Sequence, residues 1–168
     1  MPWKLVKSWA CLACGRCCRR YSINLSWKEY EHLNRFWPDK VKIKNKRPYL
    51  KKRRDGRCVF LQGKLCSLQM LKSKPFACKL WPFKILSEPD EMDKDFEGLY
   101  LYRNKEYFVY INPQCSGINR GNPRNLKKAI QEVISIWSGS KRAQIHSTSQ
   151  ARSQRYLHLP QAGEILDT

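Results

Sequence analysis

The residues of this chain whose types and spacing could do chemistry are its eight cysteines. Four of them stand close together in the segment Cys11-Leu-Ala-Cys14-Gly-Arg-Cys17-Cys18. A C-x-x-C step lets two thiolates turn toward one ion, and Gly15 gives the backbone the freedom that such a tight turn needs. This density of cysteines is typical of metal ligation rather than of inert core packing.

The other four cysteines are dispersed along the chain, at Cys58, Cys66, Cys78 and Cys115. Neighbouring side chains tend to diverge, so Cys17 and Cys18 are not expected to serve one tetrahedral ion. Two zinc ions with four cysteines each would use the whole set, whereas one four-iron cluster would use half of it. The spacing also differs from the bacterial ferredoxin run and from the first gap of radical SAM enzymes. Zinc and iron-sulfur ligation therefore both remain open.

Length and charge bound the class of protein. A chain of 168 residues suits one compact domain with a short appendage, and its net charge of +19 favours a polyanionic partner. Neither a membrane span nor a secretory signal is evident, which predicts a cytoplasmic protein with no membrane partner. Cysteines in such a reducing compartment are expected to bind metal, with a disulfide framework as the alternative.

Four segments around the cysteines resemble a known family. They are CLACGRCC, GRCVFLQGKLCSL, KPFACKLWPF and PQCSGINRGNP, and they run from Cys11 to about Pro123. They resemble the CxxCxxCC cysteine-cluster family, a zinc- or iron-chelating domain related to the cysteine-rich part of flagellin lysine N-methylases. The resemblance implies that zinc or an iron-sulfur cluster is bound by Cys11, Cys14, Cys17, Cys18, Cys58, Cys66, Cys78 and Cys115. The chain departs from the family pattern at Lys74, where arginine is usual, and in its basic segment 40–54.

Two helices are predicted to help position the cysteines. Ser26 can cap a helix that runs to Trp37, with Glu29 at the capping-box position. Apolar residues at helical spacing predict a second helix from Pro123 to Trp137.

Short β-structure should supply the rest of the scaffold. Apolar arms around Gln62-Gly63-Lys64 predict a hairpin over 58–68 that brings Cys58 and Cys66 together, and β-rich runs predict another over 99–111. The alternation in VKIK at 41–44 predicts an edge strand. The expected fold is a small metal-organised α+β domain with two β-hairpins, two main helices and irregular cysteine-bearing loops. It should occupy residues 1–138, followed by a polar basic C-terminal tail, 139–168.

The segment 40–54 has the composition of a nucleic-acid contact. It is rich in lysine and arginine, has no acid, and interleaves these cations with aromatic and apolar residues. Cationic side chains neutralise phosphates, while aromatic rings stack on unpaired bases. The candidate contacts are Lys42, Lys44, Lys46, Arg47, Lys51, Lys52, Arg53 and Arg54. We therefore expect a metal-binding module that docks on RNA or a ribonucleoprotein, with a merely solvated surface as the alternative.

Two other functions are considered. The family resemblance alone suggests an iron-sulfur-dependent, methyltransferase-like modification enzyme, but the chain has no G-x-G-x-x-G or Walker motif and identifies no catalytic residue. Electron transfer or iron handling would pair the basic face with an acidic protein partner. Redox activity would separate that function from a zinc site, because Zn(II) has no accessible redox change. The sequence does not fix the oligomeric state.

Overall fold

The computed structural model describes residues 1–149, and its elements confirm the predicted α+β class. The helices in this range are α1 (Arg16–Arg20), α2 (Trp27–Phe36), α3 (Ser67–Met70), α4 (Phe76–Leu80) and α5 (Pro123–Trp137). The strands are β1 (Val41–Lys44), β2 (Arg47–Leu50), β3 (Leu61–Gln62), β4 (Leu65–Cys66), β5 (Phe83–Leu86), β6 (Leu99–Tyr102) and β7 (Lys105–Ile111). Short 3-10 turns lie at Trp3–Leu5 and Pro38–Lys40.

The first hydrophobic core lies between helix α5 and a three-stranded antiparallel sheet of order β5-β7-β6. Val109 and Ile111 of β7 are fully buried against Ile130 and Ile134 of α5, which recur at helical spacing. Trp9 of the N-terminal segment joins the same core at 2% exposure. Burial of these side chains fixes the end of the molecule that carries Cys115.

The second core is built by smaller elements that carry most of the cysteines. Helix α2 packs on the β1–β2 hairpin, and Leu33 of α2 is buried with Leu61 and Leu68 from the β3–β4 and α3 region. Cys58 belongs to this core at 7% exposure. Its two sheets have only two strands each, so packing against the helices must provide most of their stability.

Both predicted main helices are confirmed. Helix α2 begins after Ser26, whose hydroxyl accepts from the Glu29 N–H at 3.3 Å while the Glu29 carboxylate accepts from the Ser26 N–H at 2.8 Å. Helix α5 begins at Pro123, after an Asn122 side chain that accepts from the Arg124 N–H at 2.8 Å. The reciprocal pair of hydrogen bonds at α2 and the single one at α5 satisfy backbone N–H groups that the first turn of a helix leaves unpaired.

Both predicted hairpins are present, although the structure contains one more. The pairs β3–β4 and β6–β7 lie within the predicted ranges 58–68 and 99–111. The segment 41–44, predicted as an edge strand, is strand β1 of a third hairpin with β2. Asn45 and Lys46 form its turn with φ of 50° and 58°, a left-handed pair typical of two-residue hairpin turns. A glycine usually signals such a turn, and none is present here.

Residues 141–149 follow α5 as a strap that packs back on the domain. Their anchor is Glu132 of α5, whose side chain is 1% exposed and accepts from the Lys141 ammonium and from the backbone N–H groups of residues 145–147. The remainder of the predicted tail, 150–168, lies outside the described residues. Among residues 1–149, no helix is both long and apolar enough to cross a membrane.

Candidate metal centre

All eight cysteines line one cavity of about 140 Å³. They reach it from the N-terminal segment with α1, the loop before β3, strand β4, helix α4 and the loop after β7. The cavity lies between the two cores, since Trp9 of the first and Leu68 of the second both line it. Because one water molecule needs only about 10–15 Å³ measured in this way, the space is large enough for more than a single small ion.

The N-terminal cluster is shaped by a left-handed glycine. Gly15 has φ of 67° and its carbonyl accepts from the Cys18 N–H at 3.1 Å, which starts α1 and turns Cys17 and Cys18 into the cavity. The two Sγ atoms are 3.8 Å apart. Two sulfurs on one tetrahedral zinc, each at about 2.3 Å, are about 3.8 Å apart as well. The expectation that these adjacent side chains diverge was therefore wrong, because the start of the helix holds both sulfurs on one side.

A main-chain hydrogen bond joins Cys58 to the N-terminal cluster. The Cys58 N–H donates to the Cys18 carbonyl at 2.7 Å. The β3–β4 pairing sets Cys66 opposite Leu61, and the Leu61 N–H donates to the Cys58 carbonyl at 3.0 Å. The hairpin thus brings Cys58 and Cys66 to the same cavity, as its turn signal predicted.

Two further contacts place Cys78 and Cys115. Helix α4 carries Cys78, and the N–H of its first residue, Phe76, donates to the Glu29 carboxylate of α2 at 2.6 Å. The Trp9 indole N–H donates to Cys115 Sγ at 3.4 Å, a distance at which sulfur accepts a hydrogen bond. Each of these cysteines is therefore fixed by an element remote from it in sequence.

Burial in the cavity makes several of its thiols harder to ionise. Burial raises the pKa of Cys58, Cys66 and Cys78, and negative charge on neighbouring cysteines raises each further. A hydrogen bond between the Cys17 and Cys18 thiols lowers the pKa of Cys17 and raises that of Cys18. A bound metal would offset the repulsion between neighbouring thiolates, because its positive charge stabilises several of them side by side.

The lining of the cavity suits a soft metal. Within the described residues it contains eight thiols and no imidazole or carboxylate, a donor set typical of zinc and iron-sulfur centres. Its charged residues are the cations Arg16, Lys64 and Lys74, which oppose the charge of thiolates. The eight thiols form no disulfide. In residues 1–149 no group of three or more Cys, His, Asp or Glu side chains is arranged to hold an ion, so ligation requires the cysteine side chains to move closer to one another.

The predicted nucleic-acid contacts fall into two groups. Lys42, Lys44, Lys46 and Arg47 are exposed on the β1–β2 hairpin, with the Lys42 ammonium 5.0 Å from the centre of the Tyr49 ring. The Lys51–Arg54 group follows the hairpin, and two of its side chains bind the cysteine loops. Lys52 donates to the Arg19 carbonyl at 3.0 Å, and Arg53 donates to the carbonyls of Val59 and Leu61. Among residues 1–149 none of these eight lysine and arginine side chains forms an ion pair.

Sequence reasoning missed three contributors to the site. It noted Lys74 only as a departure from the family pattern, yet this residue lines the cavity. It treated the strap as part of the tail, although Thr148 and Ser149 also line the cavity. It did not assign Trp9 as a hydrogen-bond donor to a cysteine. The position of Lys74 just before the Cys78 helix could have indicated its role. The roles of the strap and of Trp9 depend on contacts between residues distant in sequence, which no local pattern indicates.

The fold and the site together define a small α+β domain whose cysteines surround a single cavity. Comparison with protein families matches residues 10–116 to the CxxCxxCC family, described as a "putative zinc- or iron-chelating domain". The chain belongs to this family, which confirms the predicted resemblance and agrees with the predicted zinc or iron-containing centre. No curated protein and no solved structure matches the chain.

Proposed function

We propose that this protein is a metal-chelating module in which the eight cysteines hold zinc or an iron-sulfur cluster in the cavity between the two cores. The observation that carries the proposal is the convergence of all eight thiols, from separate elements, on one space without imidazole or carboxylate in the described lining. A metal bound there would link the two cores, so its binding energy would contribute to folding.

The proposal is tested by metal and acid-labile sulfide analysis, with an absorption spectrum, of protein purified anaerobically. We expect zinc without sulfide, or iron with sulfide, in stoichiometric amount. The variant Cys78→Ser should lose metal and melt at a lower temperature, because it removes one thiolate from the half-buried wall of the cavity. Ser116→Ala, which alters a polar residue of the same lining, is the matched control and should keep its metal. Protein without stoichiometric metal, or Cys78→Ser with full metal content and stability, would overturn the proposal.

The identity of the metal separates the functions that such a centre supports. Zinc would make the centre a structural one, because Zn(II) has no accessible redox change. Iron with sulfide would favour electron transfer to an acidic protein partner, or a methyltransferase-like modification reaction. A reducing compartment such as the cytoplasm suits either centre, because it keeps the thiols available for ligation.

For the zinc form, we propose RNA or a ribonucleoprotein as the partner, bound through the β1–β2 hairpin. Its cations are exposed and form no ion pair within residues 1–149, so their charge is available to phosphates. Asn24 pairs with Tyr49, which places the start of α2 beside the hairpin, and Trp27 there is 53% exposed. An exposed aromatic ring next to lysines suits an unpaired base.

The partner is tested with a mixed-sequence single-stranded RNA and two triple variants of equal charge change. Lys42→Glu, Lys44→Glu and Arg47→Glu together should weaken binding at least about tenfold and flatten its dependence on salt. These positions avoid Lys52 and Arg53, whose side chains hold the cysteine loops. The control reverses Arg124, Lys127 and Lys128, exposed on α5 in the other core, and should change affinity little. Equal losses in both triple variants, or a parent protein that does not bind at physiological salt, would contradict the proposal.

A further inference from the structure

Lys74 differs from the other two cations of the cysteine cavity in its surroundings. Arg16 and Lys64 are exposed, whereas Lys74 is half-buried just before Pro75 and the helix that carries Cys78. Its ammonium donates to the Gln144 side-chain oxygen at 2.8 Å and approaches the Thr148 hydroxyl at 3.5 Å. Both partners are neutral, and within residues 1–149 Lys74 forms no ion pair.

The strap fixes where this ammonium points. Gln144 donates its side-chain amide to the Lys79 carbonyl at 2.6 Å and to Ser147, so its oxygen must face the donors of Lys74. Glu132 in turn holds residues 145–147 of the strap through its buried carboxylate. A chain of hydrogen bonds from Glu132 through the strap to Gln144 therefore sets the position of the Lys74 ammonium.

A half-buried cation whose hydrogen-bond partners are both neutral is stabilised further by negative charge close by. The thiols in the same cavity can supply that charge. Lys74 and all eight thiols line this one cavity. Thiolates formed by cysteines from several parts of the fold would therefore lie close to this one cation.

We infer that Lys74 is a positioning residue of the metal centre, whose strap-held ammonium compensates the negative charge of the cysteine ligands and so tightens metal binding. This inference rests on the proposed metal site, and it assigns a role to the strap as well. A centre with four thiolates per divalent ion carries net negative charge, and a fixed cation beside it stabilises the loaded form more than the empty one.

The test measures the affinity of the full chain for zinc alone, by competition with a chelator at one pH and ionic strength. Lys74→Met keeps the length of the side chain but loses its charge, and should bind zinc about 10- to 100-fold more weakly, as loss of an outer-shell partner does elsewhere. Lys74→Arg should stay within about threefold of the parent. Lys79→Met is the matched control, because the Lys79 ammonium bonds the Arg142 carbonyl of the same strap and does not line the cavity.

A second pair of variants leaves Lys74 in place and separates charge from packing. Gln144→Glu and Gln144→Leu both lose the amide donors, but only the glutamate neutralises the ammonium, so Gln144→Glu should bind zinc more weakly. Lys74→Met within threefold of the parent, or Lys74→Arg as weak as Lys74→Met, would overturn the inference. Equal affinity of the two Gln144 variants would do the same. A parent that binds no zinc or iron-sulfur cluster would instead refute the proposed function itself.

Discussion

Gly117 lies where the segment that carries Cys115 crosses the segment that carries Cys11. Its carbonyl accepts from the Ala10 N–H at 3.1 Å, and a side chain on Gly117 would collide with the Ala10 carbonyl. Glycine is required here for space and not for backbone conformation, because φ of Gly117 is not in the left-handed region. Close approach of two backbones thus sets the distance between two of the cysteine segments.

We expect Gly117→Ala to cost about 3 kcal/mol of unfolding free energy, the upper part of the range for overpacked sites, and to reduce metal content. The matched control is Gly63→Ala in the β3–β4 turn, where φ is 57° and no atom lies within 4 Å of an added Cβ. That change should cost about 1 kcal/mol, from the left-handed backbone alone. Thermal unfolding of the loaded proteins measures both. If Gly63→Ala proved the more damaging, the crossing would not be tightly packed.

At the scale of single residues, the sequence predicted which side chains could bind metal but not how they are arranged. The cysteines were predicted as metal ligands from their residue type and spacing. The 3.8 Å separation of Cys17 and Cys18 depends on the start of α1 at a left-handed Gly15, which overrode the general tendency of neighbours to diverge. The contacts of Lys74 come from residues about 70 positions away, and no local pattern encodes them.

At the scale of elements, sequence patterns predicted the two longest helices and two of the three hairpins described within residues 1–149, whereas the strap has no such pattern. Apolar spacing and Pro123 gave the bounds of α5, and the capping box gave the start of α2. The strap 141–149 has no such period, because backbone N–H groups hold it against Glu132, and every residue except proline offers that donor. The only trace is Glu132 itself, a carboxylate placed among the apolar residues of α5.

Glu132→Gln tests how the strap is held. A glutamine offers one acceptor and turns N–H groups toward the donors of residues 145–147, so unfolding free energy should fall by about 3 kcal/mol or the strap should detach. Hydrogen exchange of those amides and thermal unfolding would measure the change. Glu106→Gln, at an exposed site on β7, is the control and should alter neither. Unchanged protection in Glu132→Gln would show that other contacts hold the strap.

The same carboxylate gives the strap a pH dependence. Burial alone would raise the pKa of Glu132, but the hydrogen bonds from Lys141, Ser147 and Ile145 outweigh it and hold the pKa at about 2. Because this value lies below the roughly 4.3 of an unfolded glutamate, the stabilisation is fully present above about pH 4.3 and is lost toward pH 2. The stability difference between the parent and Glu132→Gln should therefore stay constant near neutral pH and shrink across that acidic window. A difference that did not change with pH would mean that the charge of Glu132 contributes nothing.

At the scale of the whole molecule, the cysteine cavity joins two cores of unequal strength. Within residues 1–149 the first core has twelve buried residues and combines a 15-residue helix with a three-stranded sheet. The second has eight, including Cys58, and its sheets have two short strands each. Small two-stranded sheets are marginal in water, so we expect the second core to depend more on ligation across the cavity.

Removal of the metal should therefore loosen the two cores to different extents. After treatment of the loaded protein with a strong chelator, we expect hydrogen exchange to rise sharply over 11–78, where seven of the eight cysteines lie, and far less over strands β5–β7 and helix α5. Restoring the metal should restore protection over 11–78, which controls for irreversible damage. An equal rise in hydrogen exchange over both regions would mean that the metal supports a single cooperative core. No change in hydrogen exchange in either region would mean that the cavity is stable without the metal. Selective loss over 11–78 would show that ligation supplies the stability that the small sheets of the second core lack.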